Sequence, residues 1–261
     1  MQILWSHIFI LFPAGILAGI VGSIAGLASL VSYPALLAVG IPPVLANITN
    51  TAALVFSGIG STISSKRELS GHKKDLLRLL PLTVGGSIFG GLLLLIAPVS
   101  AFEHVVPFFI LGSAILILRP ELLHFNRNKQ QSVSSITYKR ILKVSLYVAI
   151  FLVGAYTGYF GAAGGVIMLA LLAATSDIKF TEYNALKNVS LGACNLAATI
   201  LFVFRSHIYW LAAAPLAVGF FIGGFIGPYI VRYIPAKLLR ILIACGAIGL
   251  ALYLFIETYL G

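Results

Sequence analysis

Apolar runs separated by short polar or basic loops make up most of the chain. They cover about residues 7–30, 46–63, 76–97, 105–118, 144–159, 183–204, 211–230 and 238–256, with half-length pieces at 35–39 and 166–174. Runs of ~20 residues without period-2 alternation predict membrane-spanning helices rather than the strands of an outer-membrane barrel. The one long hydrophilic stretch, residues 119–143, is rich in Gln, Ser, Asn and basic residues. It reads as a cytoplasmic linker between a first transmembrane repeat, residues 1–118, and a second, residues 144–261.

The stretch 144–175 carries no charge but holds Gly154, Gly158, Gly161, Gly164 and Gly165. A single helix over it, at ~1.5 Å per residue, would be roughly 48 Å long, against a hydrocarbon core of ~30 Å. Two full spans do not fit. The pattern predicts a spanning helix to about Tyr159, a break at Gly161–Gly165, and a short helix from about Val166. Residues 7–39 repeat the pattern: Gly15, Gly19, Gly22 and Gly26 lie along one helix face, followed by a break at Ala28–Pro34 and a half-length piece ending at GIPP, residues 40–43. Backbone groups freed at membrane depth need cover from protein or a water-lined cavity. Broken helices provide it at the substrate sites of secondary transporters, where half-helix N-termini face an anion. Glycine equally suits a tight helix crossing, so both readings stay open.

The halves resemble each other. Pro81–Gly85 matches Pro215–Gly219, and His72 and His207 precede these at a similar distance. At a nearly constant offset Gly19 and Gly26 fall on Gly154 and Gly161, Asn47 on Asn184, Asn50 on Lys187 and Thr51 on Asn188. These matches in one order indicate an internal duplication. If each broken segment starts and ends on the same side, every basic residue except Arg205 falls on one face, as the positive-inside rule requires. Each half then makes an odd number of net crossings, and consecutive halves are inverted. The fold class expected is an all-α polytopic membrane protein of two inverted repeats with broken, re-entrant helices.

Composition narrows function by exclusion. The chain of 261 residues is 60% apolar and 9% charged, with a mean hydropathy of +1.05. The net charge of +10 sits mainly in short loops, where it sets topology rather than binding nucleic acid. Cys194 and Cys245 lack metal-ligand spacing, the five histidines are scattered, and no acid pair or nucleophile motif is present. We expect no enzyme activity, no metal and no cofactor.

The chemistry that remains is polar side chains inside apolar runs. Lys187 lies about one turn inside its run, where an uncompensated ammonium costs at least ~2.5 kcal/mol. It must line a cavity, meet an anion, snorkel, or pair with Glu182 or Asp177. Asn184, Asn188 and Asn195 stack on one helical face near Ser190, and Asn47, Thr49, Asn50 and Thr51 have the same standing in the first half. Amides of this kind bind a ligand or join helices. Asp177 and Glu182 can bind a coupling proton or serve as a cap and salt bridge; His207 reads as a surface residue.

The stretches GILAGIVGSIAGLASLVSYPALLAVGIPPVLANITNTAALVFSGIGS, GAYTGYFGAAGGVIMLALLAA and NALKNVSLGACNLAATILF resemble the two halves of the sulfite exporter TauE/SafE family of membrane permeases, over roughly residues 10–256. That family commonly has a glycine triplet in the first break. Here Ala28, Ser29 and Leu30 stand at that position, before Pro34. The resemblance implies an inner-membrane, multi-pass secondary transporter moving a small sulfur-containing anion, such as sulfite or thiosulfate, or an organic sulfonate, with proton or ion coupling open. The expected substrate site comprises Asn47, Asn50, Thr51, Gly161, Gly164, Gly165, Asn184, Lys187, Asn188 and Asn195. A non-transporting membrane scaffold and an anion channel are the alternatives.

Overall fold

The computed structural model describes residues 2–98, 136–161, 164–176 and 178–231, with isolated helical positions between 100 and 115 and between 241 and 259. The expected spans at 105–118 and 238–256, residues 119–135 of the linker, Asp177, Arg232, Lys237 and Arg240 lie largely or wholly outside these residues. Among the described residues eight helices follow in order: α1 (Gln2–Ala25), α2 (Ser29–Ala38), α3 (Pro43–Ser64), α4 (Lys73–Ile96), α5 (Ile136–Tyr159), α6 (Gly164–Thr175), α7 (Phe180–Arg205) and α8 (Trp210–Val231). Five of them, α1, α3, α4, α7 and α8, are long and apolar enough to cross a membrane. The protein is a multi-pass, all-α membrane protein.

Both expected breaks are present, with moved edges. The first is tighter than Ala28–Pro34: α1 ends at Ala25, Gly26 turns the chain with φ +77°, and α2 starts at Ser29. Pro34 therefore lies inside α2, not in the break. A proline ring is tolerated within a membrane helix when neighbours cover the carbonyl it frees. At the second break Gly161 turns the chain with φ +70°, and α6 opens at Gly164. Only glycine takes this left-handed conformation at little cost, so the two turns fall on the pair the spacing had aligned. α5 begins at Ile136 rather than Val144, so the C-terminal end of the expected linker is helical.

The packing is exchanged between the halves. α1 packs on α8 and α4 on α5; α3 packs on α8 and on α7, and α4 on α7. One apolar core gathers Leu11, Leu36, Ile48, Leu216 and Phe220 from α1, α2, α3 and α8. The other gathers Leu79, Ile150, Met168, Leu172 and Leu186 from α4, α5, α6 and α7. The second core thus takes three helices from one half and α4 from the other, while the first also includes Leu94 of α4 and Ala198 and Phe202 of α7. Glycines permit the close crossings. A Cβ on Gly86 would collide with the Phe151 carbonyl and one on Gly223 with the Ile16 carbonyl; Ser57 faces Gly224 as Ser87 faces Cys194. These pairs match at an offset of about 137 in α4 and α8, whereas the Pro81/Pro215 match uses 134, so the short sequence identity is out of register with the packing.

Polarity runs inside out, as lipid requires. Phe56, Ile59 and Ile63 of α3 and Leu196, Ile200 and Val203 of α7 are exposed, while Asn47, Thr49, Asn50, Thr51, Asn184, Lys187, Asn188 and Ser190 are buried.

Candidate functional site

The polar faces of α3 and α7 meet the breaks, and each reaches across to the other half. Asn184 Nδ2 donates to the Ser23 carbonyl at 3.0 Å and Asn188 Nδ2 to the same oxygen at 3.1 Å. Lys187 Nζ donates to the Gly22 carbonyl at 3.1 Å and to Ser23 at 3.2 Å. Three side chains of α7 therefore close the C-terminal end of α1, where the helix dipole is negative and a cation is favoured. From the other direction, Asn47 Nδ2 of α3 donates to the Tyr159 carbonyl at the end of α5, at 2.9 Å. Asn50, the counterpart of Lys187, is too short for an equivalent reach and donates instead to Ser29 Oγ at 3.1 Å, at the start of α2.

Lys187 is fully buried and donates to two carbonyls. It neither snorkels nor pairs with Glu182. Glu182 accepts the Lys179 N–H at 2.8 Å and lies 4.0 Å from His72 Nε2, which places it in a helix cap and a surface contact with α4. His207 is exposed, edge-on to Tyr209.

The breaks touch where Gly26 meets Gly165: a Cβ on either would collide with the other's Cα. Beside this contact lies a cavity of about 50 Å³, enough for a few waters or one small solute. Of the expected site residues, Thr51, Gly161, Gly165, Asn188 and Asn195 line it. Asn47, Asn50, Asn184 and Lys187 form the layer behind, holding the breaks, and Gly164 packs on Thr157 Oγ1. Ser29 at the start of α2 and Gly165 in the first turn of α6 bring two half-helix N-termini to the same space. No lining residue carries a formal charge.

Sequence reasoning missed Ser57, Gly58, Ser61 and Gly192, which also line the cavity. The signal was present. Thr51, Gly58 and Ser61 continue one stripe of α3, and Gly192 falls between Asn188 and Asn195 on α7. Gly58 and Gly192 lie at the crossing of those two helices, with each Cβ position against the other's Cα. Among the described residues no group of three His, Cys, Asp or Glu could hold a metal ion.

An apolar multi-pass bundle with a polar cavity between two helix breaks has the build of a membrane transporter. The chain belongs to the sulfite exporter TauE/SafE family, whose model matches residues 11–254. It is 26% identical to "Probable membrane transporter protein ORF9" of Sinorhizobium sp, over 98% of this chain and 96% of that one. A "Probable membrane transporter protein" of Haemophilus influenzae is 29% identical, over 88% of each chain. "Probable membrane transporter protein YfcA" of Escherichia coli is 27% identical, over 88% of this chain and 83% of that one. No solved structure matches. The protein is thus a membrane transporter of that family, not an enzyme.

Proposed function

We propose that the protein is a secondary transporter that carries a small sulfur-containing anion or organic sulfonate across the inner membrane by rocking of two inverted repeats. The observation that carries this reading is the convergence of both breaks on one cavity. There α2 and α6 each present an N-terminal end, and Thr51, Ser57, Ser61, Asn188 and Asn195 supply hydroxyls and amides. Each helix end is equivalent to roughly half an elementary charge. The N-termini of α2 and α6 and the C-termini of α1 and α5 nearly cancel, so the Lys187 ammonium on the α1 end leaves the region net positive. That field favours an anion, with backbone N–H groups, hydroxyls and amides as its ligands and Lys187 acting from behind.

The inverted arrangement rests on the exchanged packing of the halves and on the positive-inside distribution. In it, residues 1–118 and 144–261 are the repeats and 119–143 connects them on the cytoplasmic side. Single cysteines at Lys179 or Lys237, in a chain lacking Cys194 and Cys245, then resist an impermeant thiol reagent added outside. Labelling of either ends the inverted topology.

The functional test is counterflow in liposomes with sulfite, thiosulfate, sulfoacetate, sulfate and acetate. Saturable, counterflow-competent uptake of a sulfur anion is expected. Flux that neither saturates nor shows counterflow identifies a channel, and no movement of any of these anions favours a scaffold.

A further inference from the structure

Charge is the constraint that the surroundings of the cavity set most tightly. Among the described residues Lys187 is the only charged side chain that is fully buried. Its Nζ donates at 3.1 Å to the carbonyl of Gly22, which lines the cavity, and the next residue in the chain, Asn188, lines it too. The opposed helix ends nearly cancel, so the site holds one unit of positive charge. The side chains around it are not all free to donate. Asn188 Nδ2 is held by the Ser23 carbonyl, which can only accept, and this leaves the acceptor Oδ1 as the end available to a ligand. Thr51 and Thr157 donate their hydroxyl protons to the Asn47 and Val153 carbonyls, at 2.9 and 2.8 Å. The Asn195 amide, 7% exposed, lines the cavity and has no hydrogen-bond partner among the described residues, so its N–H groups remain for an anion. Leu54, Leu191 and Phe160 add apolar surface to the same wall.

We propose that the cavity selects singly charged anions over doubly charged ones, taking hydrogensulfite or a short alkanesulfonate in preference to the sulfite dianion, sulfate or thiosulfate. This rests on the anion-transporter reading above and narrows its substrate class. One ammonium neutralises one negative charge; a dianion leaves a second charge uncompensated where little water can solvate it. The cost of burying an ion rises with the square of its charge, so a dianion loses roughly four times the solvation of a monoanion. Its attraction to a single ammonium only doubles. A wall that presents acceptors as well as donors adds to the difference. Asn188 Oδ1 can accept from the O–H of hydrogensulfite, and Leu54 and Leu191 can cover the alkyl group of a sulfonate, whereas the oxygens of a dianion can only accept.

The test measures how methanesulfonate, sulfite, sulfate and thiosulfate raise the unfolding temperature of the purified full-length protein. Ionic strength is held by gluconate, a monoanion too large for the cavity. Methanesulfonate keeps its single charge at every working pH and so corrects for titration of the protein, Lys187 included. Relative to it, sulfite is expected to bind in mild acid, where it is hydrogensulfite, and to lose apparent affinity about tenfold per pH unit once that proton has left. Sulfate and thiosulfate should bind at least about tenfold more weakly than methanesulfonate. Asn195→Lys, which sets a second ammonium at the unpartnered amide, should narrow that gap about tenfold or more. If this variant does not fold, the wild-type comparison and the sulfite pH series decide by themselves. Dianions that bind as tightly as methanesulfonate, sulfite affinity that holds or rises as its proton leaves, or an unchanged preference in folded Asn195→Lys each overturns the proposal. Counterflow of mono- and dianions alike removes the charge selection and leaves the transporter; no stabilisation and no counterflow by any of these anions removes both.

Discussion

At the first break the end of α1 receives an ammonium and two amides from α7, and Gly26 lies backbone to backbone against Gly165. At the second, α5 receives one amide from α3, and the nearest obstacle to a Cβ on Gly161 is the Thr157 carbonyl of its own preceding helix, 2.9 Å away. The backbone turn is the same, a glycine with positive φ, but at the first the turn glycine itself meets the other break and the helix end carries a lysine, whereas the nearest neighbours of the Gly161 turn belong to its own helix and the helix end is capped by an amide. The two breaks thus differ in what meets the turn glycine and in the charge of the cap.

The largest effect that can break this comparison is a Cβ at the turns. Gly40 is a reference: its φ is +84° and nothing lies within 4 Å of its Cβ position, so Gly40→Ala registers the left-handed conformation alone, about 1–2 kcal/mol. Gly161→Ala exceeds this slightly. Gly26→Ala also drives a methyl into the Gly165 backbone and to 2.9 Å from the Val166 nitrogen, and is expected to lose roughly 3–5 kcal/mol. Thermal unfolding of the three variants in one detergent, followed by monodisperse yield, should rank them in that order. Equal losses at Gly26 and Gly161 would mean that the first break is not the more firmly held.

Lys187 comes next, and it separates folding from binding. Without it the Gly22 carbonyl still accepts the Gly26 N–H at 2.7 Å, and Ser23 keeps two amides, so no carbonyl at this end loses its last donor. Replacing a buried charge by a neutral side chain is often tolerated or stabilising. Lys187→Gln should therefore fold normally. Anion affinity should fall, since one nearby unit charge at an effective dielectric of ~20 is worth on the order of 1–3 kcal/mol. The measurement is initial uptake rate against anion concentration, or direct binding, with protein matched for folded elution. Unchanged affinity would remove the ammonium from the electrostatics of the cavity and leave it a helix cap alone.

What was legible in the sequence follows the range of the interaction. Gly26 and Gly161 could be read as turns because length against bilayer thickness demands a break, and glycine density places it. The buried faces of α3 and α7 could be read because a 3.6-residue period aligns Asn47 with Thr51 and Asn184 with Asn188. What those faces meet could not be read. Asn47 to Tyr159 and Lys187 to Gly22 join residues more than a hundred positions apart, and spacing along one helix says nothing about the opposing surface. Lys187 accordingly looked like a residue lining the site, whereas its amine donates to the end of α1, to the carbonyl of Gly22, a residue that itself lines the cavity. Pro34 looked like part of a break because propensity disfavours it in a helix, yet the unwinding had already been taken by Gly26. Ser57 and Ser61 went unnoticed because single hydroxyls in an apolar run carry little signal until a facing glycine, Gly192, makes a cavity beside them.

The smallest effect tests whether the two caps differ in redundancy. Asn47 and Asn184 are counterparts, each donating one hydrogen bond of about 3 Å to the helix end of the other half. A net hydrogen bond is worth about 0.5–1.5 kcal/mol, more when its loss leaves a buried group unsatisfied. Asn184→Ala leaves the Ser23 carbonyl with Asn188 and Lys187, so the loss should lie at or below the low end of that range. Asn47→Ala removes the amide that links α3 to the end of α5, and Asn50, bonded to Ser29, does not replace it. Its loss should lie within that range, above that of Asn184→Ala. Both truncations empty a similar volume and remove an amide oxygen without a hydrogen-bond partner, so those contributions largely cancel in the difference. Adding Lys187→Gln to Asn184→Ala then sharpens the result. If the first cap owes its tolerance to shared donors, the double variant should lose more than the sum of the two single changes, which a double-mutant cycle in thermal unfolding reads directly. Additive losses, or an Asn184→Ala effect as large as that of Asn47→Ala, would show that the three α7 donors act independently and that charge alone distinguishes the two breaks.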